Sequence, residues 1–171
     1  MIRNKRIKII PYITIPLLAI YLISRGNLYD GNLSVNTNNF LSYFLLNCLS
    51  IIMGFTYFKT ITNILNKKLA IINSLILILS TIIPYKDNLL LNEIHVMLGY
   101  VMVFGMGAIT LLVCYKQVLN GLKIAKTTLN ILLIGFIFCG CLFISFGHVN
   151  SIIEIVYILL INTCYFAIEK A

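Results

Sequence analysis

The chain has no tryptophan and only three prolines, and charged residues occupy just 11% of its 171 positions. Soluble globular domains are about 25% charged and about 45–50% apolar. This chain is instead 60% hydrophobic, with a mean hydropathy of +0.99. So few charges exclude a single water-soluble core. The long uncharged stretches predict a helical membrane protein that crosses the bilayer several times.

Acidic residues are also scarce, with five Asp and Glu against thirteen Lys and Arg, for a net charge of +8. In a soluble protein such an excess would suggest binding to nucleic acid. Here the basic residues lie between apolar segments rather than on one face. We therefore expect membrane lipids, and no nucleic acid, as partners.

The motifs that hold cofactors are missing from the sequence. There is no phosphate-binding glycine loop, no G-x-S-x-G motif and no tight metal-ligand spacing such as H-E-x-x-H. The five cysteines lie within apolar runs, where they are expected to act as small packing residues. The sequence thus predicts no cofactor and no metal.

Six apolar stretches approach or reach the length of about 17–25 residues that a helix needs to cross a bilayer. They are residues 7–24, 39–58, 69–85, 94–115, 127–147 and 152–168. We predict an all-α protein, a single bundle of six transmembrane helices. Pro11 and Pro16 lie in the first stretch and are expected to bend that helix or mark its edge.

The distribution of Lys and Arg predicts the orientation, because short cytoplasmic loops are enriched in both residues. Eleven basic residues fall on the side of the N-terminus: Arg3, Lys5, Arg6, Lys8, Lys59, Lys67, Lys68, Lys116, Lys123, Lys126 and Lys170. Only Arg25 and Lys86 fall on the other side. Both termini are therefore predicted to be cytoplasmic. The abundance of Ile, Asn and Lys indicates an AT-rich bacterial genome, and hence a multi-pass protein of a bacterial plasma membrane.

Polar and small residues recur at helical spacing in five of the predicted spans, and such stripes usually face other helices. The stripes are Asn39, Tyr43, Asn47, Ser50, Gly54 and Tyr57; Asn73, Ser80, Pro84 and Asp87; His95, Gly99, Met102 and Met106; Asn130, Ile134, Ile137, Cys141, Ser145 and His148; and Glu154, Ile158, Asn162 and Tyr165. We expect these stripes to face the interior of the bundle, with Asn47, Asn73, Asn130 and Asn162 serving as packing residues.

The candidate functional residues lie at the outer side. His95 and His148, the only histidines, open the fourth span and close the fifth, and Glu154 begins the sixth. A carboxylate inside a span is costly unless it is paired or hydrated. With Asp87 and Asn39, these residues form the predicted site for a lipid headgroup or small polar ligand. The structural alternative places both histidines at headgroup level, with Glu154 paired to Arg25 or Lys86.

Two other functions fit the same residues. In an intramembrane hydrolase or transferase acting on lipid or peptide, His95 or His148 would be the general base and Glu154 a further catalytic candidate. Two histidines and a carboxylate could also ligate zinc, although the spacing does not favour it. In a scaffold or partner-stabilising subunit, or a homo-oligomer, the polar stripes would serve packing alone.

The pattern Ile83-Pro84-Tyr85, His95-x-x-x-Gly99, and Gly147 followed by Glu154 resembles the bacterial six-helix membrane family labelled DUF-998. That family is distantly related to the Frag/DRAM/Sfk membrane proteins. The likeness extends to Asn38-Asn39-Phe40-Leu41 and to the number of spans, but Ile155 stands where the family has an arginine. The resemblance implies a six-helix fold and a shared outer pair, His95 and Glu154. It implies no established reaction, and it weakly favours a lipid-related role.

Overall fold

The computed structural model describes residues 2–25, 40–83 and 89–171, with side chains from residue 9 in the first range and from residue 90 in the third. These ranges contain only helices and their connections. The helices are α1 (Ile2–Ser24), α2 (Phe40–Ile64), α3 (Lys67–Ile82), α4 (Leu89–Leu119), α5 (Lys123–Phe146) and α6 (Ser151–Lys170). The predicted all-α class is confirmed. Four helices, α2, α4, α5 and α6, are long and apolar enough to cross a membrane.

Each predicted span coincides with one helix, but the boundaries differ. α2 continues to Ile64 and α4 runs from Leu89 to Leu119, well beyond 39–58 and 94–115. An apolar run in the sequence marks only the part of a helix that lies in apolar surroundings. The helix itself can continue into the flanking residues, so it can be longer than the run. α3 instead ends early, at Ile82. Pro84 follows, and a proline disfavours helical geometry in the residue before it, so Ile83 is extended, with φ −81° and ψ 108°.

Short turns join α2 to α3, α4 to α5 and α5 to α6, so these neighbours run antiparallel. The Asn66 side chain caps α3 by accepting from the backbone N–H of Leu69 at 2.9 Å. The Asn150 side chain does the same for α6, accepting from Ile153 at 3.1 Å. Gly147 ends α5 at φ +74°, a left-handed conformation that glycine adopts without strain.

The helices form an inner group of three, α2, α4 and α6, and an outer group of three, α1, α3 and α5. α2, α4 and α6 contact one another, while α1 packs on α2 and α6, α3 on α2 and α4, and α5 on α4 and α6. Consequently α6 buries nine residues and α5 only Ala125, Thr128 and Leu132.

The two ends of the bundle differ in charge. We call the end with the α2–α3 and α4–α5 turns the basic end, because it carries Lys59, Lys67, Lys68, Lys116, Lys123, Lys126 and Lys170. The opposite end, with His95, His148 and Glu154, is the His end.

The stripe predicted for the fifth span is wrong. Asn130, Cys141, Ser145 and His148 are exposed on α5 and just beyond it, and Ile134 and Ile137 are 67% and 68% exposed. Small and polar residues indicate a helix contact, but they do not say with which partner. In the other stripes Ser50, Gly54, Tyr57, Asn73, Ser80, His95, Met106, Ile158, Asn162 and Tyr165 are buried. The inward-facing predictions for these residues are confirmed.

Candidate ligand-binding site

His95 lies in the second turn of α4 and is only 6% exposed. Its Nδ1 is 2.6 Å from the backbone oxygen of Ile83, at the end of α3. A carbonyl oxygen can only accept, so Nδ1 carries the hydrogen and donates it. In the neutral ring this leaves Nε2 as the acceptor. The contact fixes the orientation of the ring and joins α3 to α4 at the His end.

The hydrogen bonds between α4 and α6 show which residues lie at the same height. The hydroxyl of Tyr157 donates to the backbone oxygen of Val103, 54 positions away. The hydroxyl of Thr110 lies 3.5 Å from that of Tyr165, 55 positions away. The two helices are therefore parallel with a constant offset. The same offset places His95 at the height of residues 149–150, and Gly99 at the height of 153–154.

The turn between α5 and α6 thus lies at the height of His95. His148 is exposed in this turn, directly after the Gly147 cap. Glu154 is half-buried in the first turn of α6, where the partial positive charge of a helix N-terminus stabilises a carboxylate. Gly99 has no heavy atom within 4 Å of the place a Cβ would occupy. There is open space on α4 one turn from His95.

A shallow depression, open to the surroundings and bordered by α4 alone, lies at the same end, and we refer to it as the cavity along α4. Its residues are Asn92, Glu93, Val96, Met97 and Tyr100. Val103 and Gly107 lie on the face of α4 that contacts α6 and α5. Three residues of the cavity, Asn92, Val96 and Tyr100, lie on the same face, because they precede Val103 at intervals of three or four positions.

The constant offset explains why this face is uncovered. With this offset, the first residue of α6, Ser151, lies level with Met97 along the bundle axis. The part of α4 from Leu89 to Met97 therefore extends beyond the start of α6 by about 12 Å, at 1.5 Å per residue. The cavity lies on the projecting part of α4, above the α5–α6 turn.

The structure brings these groups to one end without placing them in one lining. His95, His148 and Glu154 do not line the cavity along α4. Within the described ranges, no three His, Cys, Asp or Glu side chains are grouped so as to hold a metal ion. Asp87, Asn39 and Lys86 lie outside the described residues. Arg25 donates to the hydroxyl of Tyr21 at 2.9 Å and lies over its ring.

Two residues of this end were missed or misplaced by sequence reasoning. Asn150 is 0% exposed, and its side-chain Nδ2 has no hydrogen-bond partner in the structure. The signal was there, since an asparagine before an apolar run is a helix N-cap signature. Glu93 precedes the predicted span 94–115, whereas in the structure it belongs to the first turns of α4 and is exposed there.

A second set of polar groups lies in the half of the bundle towards the basic end. The hydroxyl of Tyr12 donates to Glu169 at 2.6 Å, and that of Tyr57 donates to Asn162 Oδ1 at 3.2 Å. The rings of Tyr57 and Tyr165 stack with centroids 4.2 Å apart. We call these residues, with Thr110, the tyrosine cluster. It joins all three inner helices to α1.

Proline accounts for one contact of this cluster. Pro16 has no backbone N–H, so the backbone oxygen of Tyr12, four residues earlier, has no helical donor. Asn162 Nδ2 on α6 donates to that oxygen at 2.9 Å. A neighbouring helix thereby satisfies the carbonyl that proline releases, as is usual within membrane bundles. Proline thus stays inside α1 instead of ending it.

The fold and the distribution of charge define an all-helical protein with several helices able to cross a membrane. Comparison of the chain with protein-family models, curated proteins and solved structures gives no match. The resemblance to the DUF-998 family stays a prediction.

Proposed function

We propose that the chain is a six-span plasma-membrane protein with both termini in the cytoplasm, and that its His end is an outward-facing site for a lipid headgroup or small polar ligand. The charges of the described helix ends support this orientation, because the seven lysines of the basic end match the cytoplasmic enrichment in basic residues. The His end then lies at the outer membrane surface.

The observation that carries the proposal is the cavity along the projecting part of α4. Its apolar side chains, Val96, Met97 and Tyr100, suit an acyl or glycerol portion, while Asn92 and Glu93 offer polar groups. His95 on α4, and Asn150 and Glu154 at the start of α6, lie at the same end of the bundle. An apolar surface beside a few polar groups is the usual composition of a ligand site.

The test is thermal unfolding of the purified protein in detergent, with and without added short-chain phospholipids. His95→Asn and Glu154→Gln are the informative variants, because asparagine retains a donor near the position of Nδ1 and glutamine keeps the size of glutamate. Glu154→Gln should unfold near the wild-type Tm, and His95→Asn somewhat below it, because the smaller side chain leaves space at a buried site. Both variants should lose the lipid-dependent rise in Tm. If they keep the full rise, these residues do not form the site.

Orientation has its own test. Lys68→Cys at the basic end and His148→Cys at the His end, in a background without native cysteines, are exposed to a membrane-impermeant maleimide in intact cells. We expect labelling at position 148 alone, and at position 68 only after the membrane is permeabilised. The reverse pattern would invert the topology and place the proposed site in the cytoplasm.

A scaffold role is the second candidate, and the exposed stripe on α5 favours it. The amide of Asn130 faces outward and makes no hydrogen bond to any described residue, which is costly in hydrocarbon. A second copy, related by a two-fold axis along the membrane normal, would bring its own Asn130 to the same depth. An amide both donates and accepts, so the pair would be self-complementary.

Cross-linking through α5 tests this candidate. In a background without other cysteines, Ile134→Cys on the stripe should form a dimer with a short bis-maleimide, and Asn130→Leu should reduce the yield. Leu129→Cys, on the half-buried side of α5, is the control and should not cross-link. Equal yields from both cysteines would mean random collision and would exclude this interface.

A further inference from the structure

The junction of α4 and α5 at the basic end carries three lysines and no acidic residue nearby in the sequence. Lys116 lies in the last turn of α4, Lys123 and Lys126 lie in the first turn of α5, and all three are exposed. The sequence has no Asp or Glu from residue 94 to residue 153. Glu169, the only described acidic side chain at this end, accepts a tyrosine hydroxyl from α1 at 2.6 Å. We call the three lysines the lysine corner.

A rigid turn connects the two helices of the corner. Gly121 has φ +80°, and the N–H groups of Gly121 and Leu122 donate to the backbone oxygens of Val118 and Gln117. This pair of hydrogen bonds is the Schellman ending of a helix. It lets α5 begin two residues after the glycine, at Lys123.

Lys116 and Lys126 lie level with each other on these antiparallel helices. A Cβ on Gly107 of α4 would lie 3.1 Å from the Phe136 ring of α5, so these two residues are at one height. Lys116 is nine positions from Gly107, and Lys126 is ten positions from Phe136. Because neighbouring helix axes are about 8–10 Å apart, both ammonium groups reach the same part of the membrane surface.

An exposed apolar stripe of α4 begins at the corner. Its residues follow one another at intervals of three or four and therefore share one face: Leu119, Tyr115, Leu112, Ala108 and Phe104. Leu119 is 67% exposed and Phe104 is 73% exposed. At 1.5 Å per residue the stripe extends about 22 Å from the corner. An acidic protein or a nucleic acid has no apolar chain to lay along this stripe, whereas a lipid has.

We propose that the lysine corner and this stripe bind an anionic phospholipid, with its phosphate at the lysines and an acyl chain along α4. Both α4 and α5 are long and apolar enough to cross a membrane, so a corner at their ends lies in the headgroup layer. Basic clusters in this position attract anionic headgroups. A zwitterionic headgroup balances its phosphate with its own cation and should bind less tightly. The corner is at the end opposite the proposed ligand site and does not depend on it.

The absence of tryptophan makes this binding measurable, because Leu112→Trp places a single fluorescent residue on the stripe. The purified full-length protein is reconstituted in vesicles of equal parts phosphatidylglycerol and phosphatidylcholine, with brominated acyl chains on one lipid or the other. Bromine quenches the tryptophan on contact, so the two quenching levels give the relative binding constant. Phosphatidylglycerol should bind about fivefold more tightly at low salt, and the preference should nearly vanish in about 1 M NaCl.

Charge variants locate the site. Replacing all three lysines of the corner by glutamine should reduce the preference to less than about 1.5-fold, while replacing them by arginine should keep it. The matched control, Lys59→Gln with Lys67→Gln and Lys68→Gln, removes the same charge from the α2–α3 side of the basic end and should keep most of the preference. The vesicles have the same lipids in both leaflets, so the orientation of the protein does not affect the result.

Equal quenching by the two brominated lipids would overturn the proposal. Equal losses in the corner and control variants would also overturn it, because the preference would then come from the overall charge of the basic end. If quenching is equal and fluorescein-labelled polyglutamate binds the protein in detergent, the corner is instead a docking surface for an acidic peptide. The Tm measurements on His95→Asn and Glu154→Gln test the other end of the bundle, so either proposal can fail alone.

Discussion

The tyrosine cluster and the His end use polar residues in different ways. Towards the basic end, the polar side chains of the tyrosine cluster bind one another or a backbone oxygen, as in the contact between Tyr12 and Glu169. At the His end, Nδ2 of Asn150 is a donor without an acceptor, and a cavity lies along α4. Gly99, one turn from His95, has open space where a Cβ would lie. A satisfied network holds helices together, whereas unsatisfied groups beside open space are suited to a ligand.

The largest expected effect comes from Asn162→Leu. This change leaves the backbone oxygen of Tyr12 and the hydroxyl of Tyr57 without their present partners. We expect a loss of about 2–3 kcal/mol in the free energy of unfolding, since buried groups without partners cost about 1–3 kcal/mol each. Asn47→Leu is the control. Among the described residues, Asn47 binds only the backbone oxygen of Tyr43 in its own helix, so the loss there should be below about 0.5 kcal/mol.

The cost of Asn162→Leu should depend on Pro16. Replacing Pro16 by alanine restores a backbone N–H that can bind the oxygen of Tyr12 within α1. The loss caused by Asn162→Leu should therefore be smaller in the Pro16→Ala background by about 1 kcal/mol. Chemical denaturation of the four proteins of this cycle measures the difference. Additive effects would show that proline does not create the need for Asn162.

Two glycines of α4 provide a matched comparison of the halves. A Cβ on Gly107 would lie 3.1 Å from both the Phe136 ring and the Tyr157 hydroxyl, which already binds Val103. A Cβ on Gly99 would meet nothing within 4 Å. Gly107→Ala should lower the stability by about 1 kcal/mol, because its tightly packed neighbours must move. Gly99→Ala should raise it by about 0.5–1 kcal/mol through helix propensity. Equal changes in Tm for the two variants would mean that the packing around Gly99 does not differ from the packing around Gly107.

An effect about as large as that of Gly107→Ala is expected from Tyr12→Phe, which removes only the hydroxyl that donates to Glu169. The loss should be about 1 kcal/mol. Tyr21→Phe, near the other end of α1, removes a hydroxyl that is exposed and binds Arg25, and should change the stability by less than about 0.5 kcal/mol. Thermal unfolding in detergent compares the two. A larger effect at Tyr21 would contradict the view that the basic half carries the stabilising contacts.

Much of the fold follows from the sequence, because apolar runs and helix caps are local. The six helices, the inward faces of α2, α3, α4 and α6, and the burial of Asn162 and Tyr165 were all predictable. The side of α5 was not, since the stripe from Asn130 to Ser145 has the same composition whether it faces its own bundle or another surface. Likewise, the link between Pro16 and Asn162 depends on residues far apart in the chain.

The candidate site was predictable only in part. The sequence indicates which end carries His95, His148 and Glu154, because each begins or ends an apolar run. It does not show that α4 projects beyond α6, which requires the register fixed by Tyr157 and Tyr165. The exposure of the cavity along α4 depends on that register.

The most direct test of the central claim measures four variants in one experiment, comparing the Tm with and without the short-chain phospholipids. Glu154→Gln should keep the wild-type Tm, His95→Asn should lower it only slightly, and both should lose the lipid-dependent rise. Asn162→Leu and Tyr12→Phe should have a lower Tm and keep the rise in full. If the His-end variants lower the Tm while the rise persists, both ends serve only to hold the fold together, and the proposed division of roles is contradicted.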